Sequence, residues 1–573
     1  MFQITIQSRD YLKWKVTTIS NEKEKEENIF LDDFEPMKHY LFHGDIFSLS
    51  TISSISRKST IKIEQPSILR ESYFPAILLL TKTYGSVKGT KKMYYKCIPN
   101  DIHYPCFLVP YELSMKSFHK KISNMYVLLR LKEWGSTNHP IAVIDRIIGS
   151  VGITEHLYEY EIFCKKLENT TMRQFSKEVS LFSSSELIIE NVEKEYIFSI
   201  DPEGCIDYDD AFSISQEENT DIIKLCIYIS NVPYGLDKMN VWKYIKQVST
   251  IYLPHKKKTM LPNILSDDKY SLQSKTWKQV FVMELMITNQ GEEVSVHFYQ
   301  RLAKIAENFI YDEPALLLHP KYKLLEKTVQ ILSKNEKYGY IKNINNSHDV
   351  VAYLMIFMNH QVGSRLQRGI FRCTEESPSI RDNIPDSIKN DIIGWSSSEV
   401  GVYIGYYRPP QYNNENNLKT QPPIHRALDL SYYTHITSPI RRLVDIINMI
   451  LFQQQYNIYS FSTSANDFVD SWMNRVSYIN EQTLYIKQLQ NKCNLFYFLQ
   501  NVSTIEGIIL EKNNINQLVT LYITSIRRIF VTKLLADVLL FKTYHFNVHL
   551  FEDESSMKTK IRLSLTSPNS VSR

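Results

Sequence analysis

Residues 198–214, FSIDPEGCIDYDDAFSI, bring four carboxylates, Asp201, Asp207, Asp209 and Asp210, into one short segment. A β-favouring FSI leads in and AFSI leads out. Between them PEGC is a tight turn, with Gly204 free to take a positive φ. Strand, turn and second strand would fold the four carboxylates around one point. Acids so close repel one another strongly in a low-dielectric pocket, and a divalent cation removes that cost. Hard oxygen ligands select Mg²⁺ or Mn²⁺ over zinc. Such a centre suits metal-assisted phosphodiester hydrolysis, one ion activating water and another stabilising the departing oxyanion. A solvated acidic turn or a calcium loop is the alternative. The EF-hand pattern fails, because the alternating ligand spacing and the terminal Glu are absent.

A second constellation lies at 425–452, HRALDLSYYTHITSPIRRLVDIINMILF. Thr437 or Ser438 can cap a helix, Pro439 suits its first turn, and Ile440, Leu443, Val444, Ile447 and Ile450 repeat along one face. Arg441 and Arg442 then fall at the positive end of the helix dipole, where cations are poorly placed. A phosphate or a nearby carboxylate resolves that conflict. An exposed solubilising pair is the alternative.

Around these motifs the chain is organised in blocks. Up to about residue 187 the signals are mostly strand-like: 40–54, 76–82, 91–97, 106–112 and 125–131, which suits two small antiparallel barrels. From 188 to 500 strands mix with helices, with apolar spacing near 3.6 at 241–248, 349–366 and 464–499. Residues 21–30 read as a solvated acidic loop and 411–420 as a polar loop. Strands return from 503 to the end.

The whole chain has 573 residues, enough for about three or four domains. With 43% hydrophobic and 22% charged residues, globular cores are affordable and whole-chain disorder is excluded. Lys+Arg is 66 against Asp+Glu 62, so a net charge of +4 excludes an indiscriminate nucleic-acid binder and confines any such site to a local patch or channel. Seven cysteines without a CxxC pair disfavour a disulfide scaffold and a structural zinc site. No signal peptide or 18-residue apolar run is visible, and a reducing, intracellular, cytoplasmic setting is expected, with an organellar or virus-associated one as the alternative.

Three ordered motifs carry a family resemblance: DPEGCIDYDDA at 201–211, YLPHKKKTMLPNILSDDKYSL at 252–272 and THITSPIRRLVD at 434–445. Together they closely resemble the RNase II / RNB exoribonucleases, in the manner of the eukaryotic exosome catalytic subunit without its PIN domain. HGDIF at 43–47 and RLKEWGSTNHPIAVIDRIIGSVG at 130–152 resemble the family's cold-shock barrels. The implied fold is multidomain α+β: an RNB catalytic core flanked by OB-type β-barrels. It divides as 1–90 with a first cold-shock-like barrel, 91–187 with a second, 188–500 for the RNB core and 501–573 for an S1-like barrel.

The resemblance implies a processive 3′→5′ exoribonuclease that releases nucleoside 5′-monophosphates from single-stranded RNA, with Mg²⁺ (or Mn²⁺) as cofactor, working as a monomer without a membrane. It makes Asp201, Asp207, Asp209 and Asp210 metal ligands or water-ordering groups. It makes Asp209, Asp210 and Arg441 catalytic, and Tyr252, Phe371, Arg372 and Arg442 RNA-binding, with Tyr252 and Phe371 clamping a base. Several positions depart from the family pattern: Ala352 and Tyr353 replace glutamates, Asn231 an aspartate, Gln490 a carboxylate, Cys373 a histidine and Leu443 a tyrosine. These departures carry the alternative, a catalytically weak RNB-fold protein that binds RNA as a regulator or scaffold.

Overall fold

The computed structural model describes residues 1–19, 34–51, 59–113, 123–135, 138–182, 195–216, 220–374, 401–408, 422–513, 515–526, 528–534, 537–553 and 558–566. The loops expected at 21–30 and 411–420 lie outside these residues.

The first sheet has four antiparallel strands, Phe2–Ile6, Trp14–Thr18, Ile46–Thr51 and Ser59–Gln65. Among the described residues they pair in the order Trp14–Thr18, Phe2–Ile6, Ile46–Thr51, Ser59–Gln65. Asp45, within the HGDIF stretch, is fully buried and ties this sheet to the short helix Ile68–Glu71. Its carboxylate accepts from the Phe42 and Ser67 N–H groups and from the Arg70 guanidinium at 2.8 Å. The second unit is a closed barrel of Tyr73–Ser86, Met93–Pro99, Phe107–Tyr111, Met125–Glu133 and Ile141–Ser150. Tyr73–Ser86 pairs with both Met93–Pro99 and Met125–Glu133, so it belongs here and not to the first unit. Helices Thr154–Cys164 and Met172–Leu181 leave this barrel and bury Tyr158, Ile162, Phe175 and Val179 in the core of the adjoining region.

That region is built on another closed barrel: Ile197–Asp201, Asp210–Gln216, Ile222–Ser230, Trp277–Thr288 and Glu293–Ile310. The first and last strands close it by pairing in parallel. Ile222–Ser230 shows why. Ile223, Leu225, Ile227 and Ile229 pack in a core shared with helices Pro320–Ser333 and Ser347–Arg365, while Cys226 and Tyr228 join Ala211, Val280, Val282 and Ile305 in a second cluster. Both faces are buried, so the strand reads as a continuous apolar run without alternation.

Helix Leu443–Gln455 runs between the two main cores and is buried on nearly every side, as an all-round apolar helix must be. It begins after Arg442, later than the expected cap at Thr437 or Ser438. The 3.6-residue spacing at 241–248 resolves into a single 3₁₀ turn, Trp242–Tyr244, whose apolar side chains are buried without a helix. The expected helices at 349–366 and 464–499 are Ser347–Arg365, Thr463–Met473 and Val476–Gln500. The last unit is a five-stranded antiparallel sheet, Thr504–Asn513, Leu518–Ile523, Arg528–Lys533, Thr543–Asp553 and Lys558–Leu565. Among the described residues no helix is long and apolar enough to cross a membrane.

One close approach positions the functional region. A Cβ on Gly363 would stand 1.9 Å from the Tyr432 carbonyl oxygen, so helix Ser347–Arg365 meets the backbone of 432–434 with no room for a side chain. From the same helix Asn359 accepts from the Ile436 N–H at 2.9 Å. Gly363→Ala therefore overpacks a backbone contact and is expected to destabilise the fold by about 1–3 kcal/mol or more, read as a lower urea midpoint at unchanged slope.

Candidate active site

Asp201 ends one barrel strand and Asp210 begins its antiparallel neighbour, so both carboxylates stand at the same end of the barrel. The turn between them holds Gly204 at φ +76°, as its sequence requires. Asp209 is 2% exposed and Asp210 8%. Asp209 accepts from the Ile440 N–H at 2.9 Å and from Arg441 Nε at 3.1 Å. A charge-assisted pair thus joins two motifs more than two hundred residues apart in sequence.

The segment holding Arg441 is a tight turn. The Arg441 and Arg442 N–H groups both donate to the Ser438 carbonyl, and Arg441 Nη2 donates to Ser438 Oγ at 3.2 Å. Asp445, fully buried in the first turn of the helix Leu443–Gln455, accepts from the Ser438 N–H at 2.7 Å and from Arg442 Nη2 at 2.9 Å. The expected conflict between the arginine pair and the helix dipole is thus resolved by carboxylates: Asp445 for Arg442 and Asp209 for Arg441. The third motif is stitched to the same turn, with the Thr250 N–H and Ser249 Oγ both donating to the Arg441 carbonyl at 3.0 Å.

From there the hairpin Ile251–Leu253 / Lys256–Lys258 reaches over the acids. Tyr252, 37% exposed, donates its hydroxyl to Asp207 Oδ2 at 2.9 Å, and its backbone N–H donates to Gln490 Oε1 at 2.9 Å. Lys257 Nζ stands 3.1 Å from Asp207 Oδ1 and 2.9 Å from Asp267 Oδ1. Together these groups enclose a cleft of about 730 Å³. Its lining includes the four aspartates. Tyr252, Lys257, Ser438 and Arg441 line it together with Tyr311, His348, Ala352 and Met355.

Burial pushes the Asp201 carboxyl up to about 6 and Asp209 up to about 7, the latter against the pull of Arg441. Burial also holds Asp210 well above the usual carboxylate range, reinforced by the charges of Asp201 and Asp209. Among the described residues no three Asp, Glu, His or Cys side chains converge as a ready metal cluster. The reason is local: Asp207 and Asp209 are drawn to cations of the chain itself. Asp201 Oδ2 and Asp210 Oδ2 are buried and unpartnered. Two such oxygens, on acids whose charges act on each other, have the donor chemistry for one hard divalent cation. The four carboxylates thus divide into two paired and two open.

Three sequence expectations change. Phe371 is fully buried, edge-on to Tyr406 and Tyr432, and has no free face for a base. Arg442 is committed to Asp445 and to His435 Nδ1 at 3.4 Å, outside the cleft. Arg372 lies over the Tyr403 ring, 4.9 Å from its centroid, also outside it. Tyr353, a glutamate in the family pattern, is fully buried and donates to the Tyr338 carbonyl, while Ala352 lines the cleft. Lys257, Tyr311 and His348 were missed. Lys257 lies inside the 252–272 motif as one of three consecutive lysines, and the other two carry no local sequence signal.

An unpartnered buried carboxylate oxygen costs about 1–3 kcal/mol. The folded-state pKa values of the open acids lie above the unfolded value of 3.8, so their protonated forms favour the fold. That contribution is complete below about pH 4 and is lost as pH rises toward neutrality. In EDTA, Asp210→Asn is therefore expected to raise the thermal midpoint at pH 7.5 and to leave it unchanged at pH 4, measured by circular dichroism.

The RNB domain profile matches residues 189–336. Ribonuclease R of Mycoplasmopsis pulmonis is 23% identical over 396 residues, 55% of this chain and 52% of that protein. Ribonuclease R of Aquifex aeolicus is 22% identical over 519 residues, 74% of this chain and 67% of that protein. The chain thus spans about half to two thirds of the length of these relatives. In structure, apo RNase R of Mycoplasma genitalium superposes with a TM-score of 0.66 at 13% identity, covering 99% of this chain and 100% of that one. The same protein in complex with ribose methylated single-stranded RNA gives 0.64. Yeast Ssd1, described as a pseudonuclease, gives 0.52 at 12% identity over 93% of this chain and 79% of its own. Residues 189–336 thus match an RNB domain, and the chain as a whole shares the fold of these ribonucleases.

Proposed function

We propose that this chain is a metal-dependent 3′→5′ exoribonuclease that hydrolyses single-stranded RNA processively to nucleoside 5′-monophosphates. The observation that carries the reading is the meeting, in one cleft, of the open carboxylates Asp201 and Asp210, the Asp209–Arg441 pair and the half-exposed ring of Tyr252. Asp201 and Asp210 would hold Mg²⁺ or Mn²⁺. A bound ion of this kind lowers the pKa of water and polarises a phosphoryl oxygen. Asp209 fixes Arg441 through Nε and Ser438 steadies Nη2, which leaves further N–H donors of the fork for a phosphate. Tyr252, held by its hydroxyl and its backbone, offers a ring on which any base can stack, worth about 1–3 kcal/mol and tolerant of sequence. The RNA complex of the Mycoplasma genitalium protein supports RNA as the ligand.

A second reading, a catalytically weak RNA-binding protein, draws on Ala352 in the cleft wall and on the likeness to a pseudonuclease. One assay separates the two. End-labelled single-stranded RNA is incubated with Mg²⁺ or EDTA, beside Asp209→Asn. A metal-dependent ladder shrinking from the 3′ end, lost in the variant, is expected; RNA that is shifted in a gel but never shortened would establish the second reading. Arg441→Lys keeps the charge but loses the planar fork whose separate N–H groups meet Asp209 and Ser438. It is expected to lower kcat about 100-fold or more while Kd for RNA changes little; equal losses in both would reduce Arg441 to a binding residue.

A further inference from the structure

The three lysines at 256–258 do not act alike. In the antiparallel hairpin Tyr252 sits directly opposite Lys257, so both side chains leave the same face and reach the same carboxylate. Lys256 and Lys258 leave by the other face, and both pair with Glu159. Lys257 is 19% exposed and Asp207 9%, so their contact is largely shielded from water.

Asp207 is thereby fully engaged. Its Oδ1 faces the ammonium and its Oδ2 accepts the Tyr252 hydroxyl. The ammonium is gripped from the far side by Asp267, whose Oδ1 also accepts from Ser266 Oγ at 2.7 Å. Asp209 is engaged in the same way by Arg441 and the Ile440 N–H. The acids with unpartnered buried oxygens in this cleft are Asp201 and Asp210. A divalent ion at Asp207 would have to displace an ammonium that bridges two carboxylates and a hydroxyl that completes the second oxygen. Mg²⁺ also demands near-octahedral oxygen coordination and dehydrates reluctantly.

We infer that Lys257 takes the place of a second divalent cation beside Asp207, so that this chain binds one such ion, between Asp201 and Asp210, where four clustered carboxylates would otherwise hold two. The inference rests on the metal-dependent reading of the cleft. There, the Lys257 ammonium supplies positive charge at a fixed point and is not lost to chelation.

The test counts ions without reference to activity. Mn²⁺ bound per chain is measured by electron paramagnetic resonance of the free ion, titrated with the full-length wild type, Lys257→Met, Lys257→Gln and Asp210→Asn. Circular dichroism confirms folding, and the two lysine variants guard against one failing to fold. One ion is expected in the wild type, two in each folded lysine variant and none in Asp210→Asn. Two ions in the wild type, or one in both folded lysine variants, overturns the role of Lys257. One ion retained in Asp210→Asn overturns the placement between Asp201 and Asp210. No ion in the wild type overturns the metal-dependent reading itself, and the inference with it.

Discussion

Carboxylates buried beside one another at the end of a β-barrel are costly unless cations answer them. In this chain the answer comes from far away in sequence. Asp209 receives both the guanidinium of Arg441 and the backbone N–H of Ile440. That pair fixes where the turn at 438–442 must lie, and the turn in turn anchors Ser249 and Thr250, whose strand carries Tyr252 to Asp207. Without the ion pair, the backbone bonds from Ile440 and Thr250 would still join the three motifs. The apolar cores on either side of helix Leu443–Gln455 hold the turn at the right depth, but the electrostatic match sets its orientation.

Support for this junction comes from a layer of uncharged polar groups. Asn448 bonds the Ile370 carbonyl, Thr434 Oγ1 and the His435 carbonyl, and accepts from the Ile370 N–H. Asn231, an aspartate in the family pattern, exchanges reciprocal amide hydrogen bonds with Gln453 at 3.1 and 3.2 Å and also donates to Gln300. The departure is thus absorbed locally: a neutral amide pair needs no counter-charge, where a buried aspartate would.

The motif acids and Arg441, which line one cleft, stood out in the sequence because clustered carboxylates and a misplaced arginine pair are chemically distinctive, whereas Tyr252 was reached only through the family resemblance. The central barrel was not, because strands buried on both faces, such as Ile222–Ser230, lose the alternation that marks a strand. Phe371 was misread for a related reason. An aromatic residue on a strand serves a core or a ligand equally well, and only packing against Tyr406 and Tyr432 tells which. Arg442 was misread because its partner Asp445 lies three residues on, within the same motif, and the apolar spacing placed both on a helix that begins only after Arg442. The strand Tyr73–Ser86 precedes the expected boundary at residue 90 yet pairs beyond it, since register with Met125–Glu133 is a long-range fact that no local pattern records.

The pairing of cations inside the fold bears on how far its electric field reaches. Arg441, Arg442, Lys256, Lys257 and Lys258 all have carboxylate partners within the chain. Of these, Lys257 and Arg441 line the cleft, and their pairing with Asp207 and Asp209 cancels much of their long-range pull. A polyanion placed there would have to exchange partners with existing pairs. Under the proposed function, association at this cleft would be governed by shape and close contact, and would be less sensitive to ionic strength than a count of basic residues implies.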